Sequence, residues 1–150
     1  MITAGTVMRP DVECINVRDT MGFAAQRMRQ LDIGALPICD GEGHPVGIVT
    51  DRDIVVKVVG VGLNPSTTTA GELTQGADKM HTVDVSADIS DVLACMTEFR
   101  IRRLPVTAQG RLAGIITEAD LARQLPEHQV GEFVEAICAA NLPTPGRTAS

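Results

Sequence analysis

The chain carries one pattern twice, and that duplication limits what it can fold into. Pro37 is followed by Gly47-Ile48-Val49-Thr50-Asp51-Arg52-Asp53, and Pro105 by Gly114-Ile115-Ile116-Thr117-Glu118-Ala119-Asp120. The prolines stand 68 residues apart and the threonines 67, so the second copy loses one residue in the turn between them. A repeat of this length is one supersecondary unit used twice, and neither copy is expected to bury its core alone. A fainter echo opens each copy: Thr3-Ala4-Gly5 and Thr69-Ala70-Gly71, 66 residues apart.

Periodicity assigns the elements. Glu13 to Val17 and His81 to Val85 alternate as strands. Thr20 and Asp88 are N-cap residues. The apolar stripes Met21, Ala24, Ala25, Met28, Leu31 and Ile89, Val92, Leu93, Met96, Phe99 then recur at the same helical offsets. Strands at Leu36 to Cys39 and Leu104 to Thr107 turn back through Asp40-Gly41-Glu42-Gly43 and Gln109-Gly110. The returning strands hand over to second helices near Thr50 and Thr117. Each copy reads β-α-β-β-α. Boundaries are expected at 3–60 for the first repeat, 61–68 for a connector and 69–125 for the second repeat. A C-terminal helix is expected over 126–141, with Val130, Phe133, Val134 and Ile137 on one face, and a disordered tail over 142–150.

Composition narrows the partners. Net charge is −6 and the pI near 4.9, against nucleic acid or an anionic membrane as partner. With no Trp or Tyr and three Phe, base stacking on aromatics is scarcely available. No apolar run is long enough to span a bilayer, and the N-terminus has no signal-peptide pattern, so a cytoplasmic location is expected. No nucleophile elbow, His-Glu-x-x-His or Walker loop occurs, and an enzyme is not expected.

The duplicated segments "IGALPI…VGIVTDRDIV" and "IRRLPV…AGIITEADLA" resemble a CBS-domain pair, the Bateman module, over about residues 3 to 125. The resemblance extends to small stand-alone members with a terminal helix. It implies an α/β (α+β) fold of two β-α-β-β-α repeats with pseudo-twofold symmetry, and two clefts between them. It further implies an adenosine-containing ligand (AMP, ADP, ATP or S-adenosylmethionine), no obligatory cofactor, a homodimer, and output through an unidentified effector protein.

The motif Gly-x-x-Thr-x-x-Asp suits such a ligand. Glycine permits close approach. The threonine hydroxyl and the helix N-terminus face a phosphate. An aspartate one turn on can accept from a ribose diol. The family pattern carries these roles to Gly47, Thr50 and Asp53, and to Gly114, Thr117 and Asp120. It carries phosphate contacts to Arg102 and Arg103, which make the second copy look better equipped, while the first offers Arg52. The same threonines and aspartates are also ordinary helix caps. Adenine is expected on aliphatics such as Ile15, Ile33, Val83 or Ile101.

Four cysteines, at 14, 39, 95 and 138, make no Cys-x-x-Cys motif. Cys14 and Cys39 fall on strands expected to be neighbours. They are either buried free thiols or a redox or metal pair, with His44 or His81 as further ligands. The alternatives to a nucleotide sensor are therefore a redox- or metal-responsive stress protein and a purely structural dimerisation module.

Overall fold

A computed structural model describes residues 2–75 and 80–140. The first copy contains α1 (Ala4–Val7), β1 (Arg9–Pro10), β2 (Ile15–Asn16), α2 (Met21–Leu31), β3 (Ala35–Cys39) and β4 (Pro45–Thr50). It closes with α3 (Asp51–Asp53), which runs into a π-helical segment, Ile54–Val59. The second contains α4 (Ala70–Thr74), β5 (Val83–Asp84), α5 (Ile89–Glu98), β6 (Arg103–Ala108), β7 (Arg111–Thr117) and α6 (Glu118–Gln124). Helix α7 (Glu127–Ala140) follows. The expected tail, 142–150, and the last residue of the expected terminal helix lie outside the described residues.

The caps read from sequence form. Thr20 Oγ1 accepts from Phe23 N at 3.2 Å, and Asp88 Oδ1 accepts from Ser90 N at 2.9 Å. The β6–β7 turn places Gln109 at φ 53° and Gly110 at φ 80°, the paired left-handed backbone of a tight hairpin. The stripes are narrower than the periodicity implies. Met21, Ala24 and Met28 are buried, but Ala25 and Leu31 are exposed. Val92 and Met96 are buried, but Phe99 is 44% exposed.

Two sheets form. One has the order β2-β3-β4, with β2 parallel and β4 antiparallel to β3. The other has the order β1-β7-β6-β5. Its edge strand β1 comes from the first copy and pairs antiparallel with β7 of the second, Arg9 opposite Ile115 and Pro10 opposite Gly114.

That crossing is one half of an exchange. Ala4 and Val7 of α1 sit in the second copy's core with Val92, Met96, Leu104 and Ile116. Ala70 of α4 sits in the first copy's core with Ile15, Met21, Leu36 and Val49. The backbone follows the same rule: Ala4 N donates to Ala87 O at 2.9 Å, and Ala70 N to Asp19 O at 2.8 Å. Each copy thus completes its partner's core, as a unit too small to stand alone requires. Leu36 and Leu104 are fully buried at matching places, and truncating either to Ala would cost about 2–5 kcal/mol. Helix α7 caps the second core through Phe133 and Ile137, leaving Val134 exposed.

Candidate functional site

Each motif sits where a strand gives way to a helix, and each forms the same reciprocal cap. In the first copy Thr50 N donates to Asp53 Oδ2 at 2.9 Å, and Asp53 N donates to Thr50 Oγ1 at 3.1 Å. In the second, Thr117 N donates to Asp120 Oδ2 at 2.9 Å, and Asp120 N to Thr117 Oγ1 at 3.4 Å. The capping role of these residues is therefore present in both copies. Ligand capacity depends on what remains available, and there the copies part.

The Asp53 side chain is 26% exposed and lines a cleft of about 550 Å³. Lys57 Nζ lies 3.3 Å from Asp53 Oδ1. Across the cleft, the second copy contributes Ile101 and Arg103, together with a pair of rings: His81 and Phe99 stack with centroids 3.6 Å apart and planes 15° from parallel. Among the described residues Arg103 has no carboxylate partner. Two cations, one carboxylate and a ring stack thus meet in one cleft. Its size falls within the usual range for small-ligand pockets.

A second cleft, of about 680 Å³, lies against Thr117. Its walls include Arg9, Leu31, Ile33, Arg102, Arg103 and Glu118. Arg102 Nε is 3.5 Å from Glu118 Oε1. Asp120 does not line this cleft, being only 1% exposed. Its Oδ1 accepts from Arg9 Nε at 3.2 Å and from Arg123, and its Oδ2 also accepts from Thr117 Oγ1 at 2.9 Å.

The other sequence candidates fall as follows. Arg103 lines both clefts, so it borders the cleft of Asp53 as well as the one beside Thr117. Arg52 lines neither cleft. Ile15 is a core residue and Val83 packs beside the other core, so neither forms a cleft wall. Ile33 and Ile101 do line clefts. Gly47 and Gly114 admit close neighbours: a Cβ at Gly47 would meet Thr74 Cγ2 at 2.7 Å, and one at Gly114 would meet Arg9 O at 2.4 Å. The expectation that no aromatic is available to a base is corrected, because Phe99 and His81 line the first cleft. The helical stripe assigned Phe99 to the core. Phe99 is the C-cap of α5, and Arg100 after it takes φ 55°, so the ring falls beyond the helix that the stripe assumed.

Cys14 and Cys39 are both free thiols, Cys14 exposed and Cys39 buried. Burial, with Cys14 beside it, pushes the Cys39 thiol up to about 12. His44 does not join them: its Nδ1 is 3.1 Å from Asp40 Oδ2. His81 is in the first cleft. Among the described residues no three His, Cys, Asp or Glu side chains group to hold a metal ion. Among the described residues, the two thiols fall short of the three or four protein ligands that zinc takes. Among the same residues, no helix is long and apolar enough to cross a membrane.

Two motif-bearing copies that face each other across paired clefts have a match among known proteins. The CBS domain family profile matches residues 4–60 and 71–127, and the chain belongs to that family as a tandem regulatory pair. Hypoxic response protein 1 of Mycobacterium tuberculosis (strain ATCC 25618 / H37Rv) is 49% identical over 139 residues, 93% of this chain and 96% of the relative. The crystal structure of hypoxic response protein I with two coordinated zinc ions matches at a TM-score of 0.76 and 47% identity, covering 83% of this chain and all of that one. The structure of CBSX2 in complex with AMP matches at a TM-score of 0.67 and 24% identity, covering 82% of this chain and 95% of that one, and shares the fold.

Proposed function

We propose that the chain is a non-catalytic sensing module that takes a phosphorylated adenosine in the cleft of Asp53. One observation carries this reading: Asp53, Lys57, Arg103 and the Phe99–His81 stack converge on a single cleft. Asp53 accepts from the ribose diol. Thr50 lines neither cleft, and its hydroxyl holds the cap by accepting from Asp53 N. Lys57 and Arg103 meet the phosphates, and the base packs on Ile101 and the ring stack. The surplus of positive charge favours AMP, ADP or ATP over S-adenosylmethionine, whose sulfonium is itself cationic. Ligand binding biases how the two copies pack, and a partner reads the result.

The readers of that state are a second copy of this chain and an effector protein. Val55, Val56, Val59 and Val61 are exposed on and just beyond the π-helical segment, beside Lys57, an apolar-rich surface suited to self-association. A cytoplasmic location belongs to the same proposal.

Isothermal titration calorimetry with AMP, ADP and ATP tests the reading. Heat of binding is expected for the wild type, with loss in Asp53→Asn. No heat with any of the three would remove the proposal.

A second reading has its own observation, the adjacency of Cys14 and Cys39. In it the pair is a redox switch, or contributes to a metal site completed by another copy, as the zinc-containing hypoxic response structure invites. Freshly purified protein would then show a Cys14–Cys39 disulfide on non-reducing mass spectrometry, or bound zinc on elemental analysis. Free thiols without metal would end it.

A further inference from the structure

We propose that Arg9 closes the second cleft to ribose, so that the two clefts of this module are not equivalent and only Asp53 can accept a nucleoside diol. The stoichiometric part of this claim rests on the function proposed above; the closure itself does not.

The argument begins at Gly114. A side chain there would collide with Arg9 O at 2.4 Å and Met8 Sδ at 2.6 Å. Its absence lets β1 lie directly on β7, with Pro10 opposite Gly114 and Arg9 opposite Ile115. That register delivers Arg9 to a carboxylate 111 residues away, where Nε donates to Asp120 Oδ1 at 3.2 Å. Arg123, one turn along α6, donates to the same oxygen. The other oxygen, Oδ2, accepts from Thr117 N and Thr117 Oγ1, each at 2.9 Å. A carboxylate offers about four acceptor positions, and here all are taken. The side chain is 2% exposed against 26% for Asp53.

The first copy keeps the cap, with Asp53 Oδ2 accepting from Thr50 N at 2.9 Å and Lys57 Nζ 3.3 Å from Oδ1, but it lacks both arginines. By the spacing of the opening echo, Gln75 stands where Arg9 would, and it is exposed. By the spacing of the motif, Val56 stands where Arg123 would. The base-facing wall differs in the same sense: the first cleft has Phe99 and His81, whereas the second has Leu31 and Glu13, with Glu13 paired to Arg27. A ribose entering the second cleft would have to displace two charged donors from Asp120 and would find no ring to stack its base on.

Carboxyl footprinting with carbodiimide and glycine ethyl ester, read by peptide mass spectrometry, tests the closure without any ligand. In the folded wild type, Asp53 is expected to label and Asp120 to stay unlabelled. In Arg9→Gln, which gives the second copy the residue the first carries, Asp120 labelling is expected to rise several-fold while Asp53 is unchanged. Equal labelling of Asp53 and Asp120 in the wild type would overturn the proposal, as would an Arg9→Gln protein that is folded by circular dichroism yet keeps Asp120 protected. Calorimetry with AMP adds a second reading, in which one equivalent per chain is expected and two would overturn it. Absence of AMP binding would count against the proposed function, and the footprint would still decide the closure, through the wild type alone should Arg9→Gln fail to fold.

Discussion

Phe99 and His81 stack at the wall of the first cleft, with ring centroids 3.6 Å apart. Neither ring is needed to hold a core, since Phe99 is 44% exposed and His81 only half-buried. A flat pair that stabilises little else is placed to meet a flat ligand. Phe99→Ala is therefore expected to weaken AMP binding by roughly 1–2 kcal/mol, about tenfold in Kd. Its unfolding midpoint in urea should move little. Calorimetry and a denaturation curve on the same preparation separate the two effects.

The two motif glycines should not respond alike to alanine. At Gly47 the new methyl meets Thr74 Cγ2, a side-chain atom that can move only if the bond from Thr74 Oγ1 to Gly71 O yields. At Gly114 it meets the Arg9 carbonyl, which belongs to a paired strand. Gly114→Ala is expected to cost about 1–3 kcal/mol, and Gly47→Ala less. Urea unfolding monitored by circular dichroism gives both numbers, and fluorescence of Trp is no option because the chain has none.

Cys39 fixes a pH dependence. Burial raises its pKa from the ordinary 9.0 to about 12. The folded state therefore holds a proton that the unfolded chain has already released, and stability falls over that interval. The contribution is complete below pH 9.0 and disappears as pH climbs toward about 12. Cys39→Ala should flatten this alkaline arm in thermal melts taken across the range. At pH 8 iodoacetamide should modify exposed Cys14 well before Cys39.

The valine face makes a separate forecast. Val59→Lys adds charge at an exposed position, so the fold and AMP binding should persist. Sedimentation velocity should show a dimer for the wild type and a shift toward monomer for the variant.

Much of this architecture is legible in the chain because it depends on local chemistry. Thr20, Asp88, Thr50 and Thr117 cap helices wherever the tertiary structure puts them, and the repeat spacing reveals two units. What escapes is whatever a local rule leaves free. The matched Thr-Ala-Gly segments show that the copies correspond, but not that each short helix packs in the other's core. Asp120 and Asp53 occupy the same motif position, and the nearby contrast, Arg123 against Val56, reads in sequence only as one more helix-surface charge. The other donor, Arg9, is far off in sequence and brought in by strand pairing. Phe99 satisfies a helical stripe numerically, yet α5 ends at Glu98, and the ring turns to the cleft instead of the core.

A crystal structure of the wild type grown with AMP tests the central claim most directly. The account predicts nucleotide density in the cleft between Asp53 and Arg103, with the ribose diol on Asp53, the phosphate near Lys57 and Arg103, and Asp120 still held by Arg9. Nucleotide seated against Thr117 and Asp120, with the first cleft empty, would contradict it.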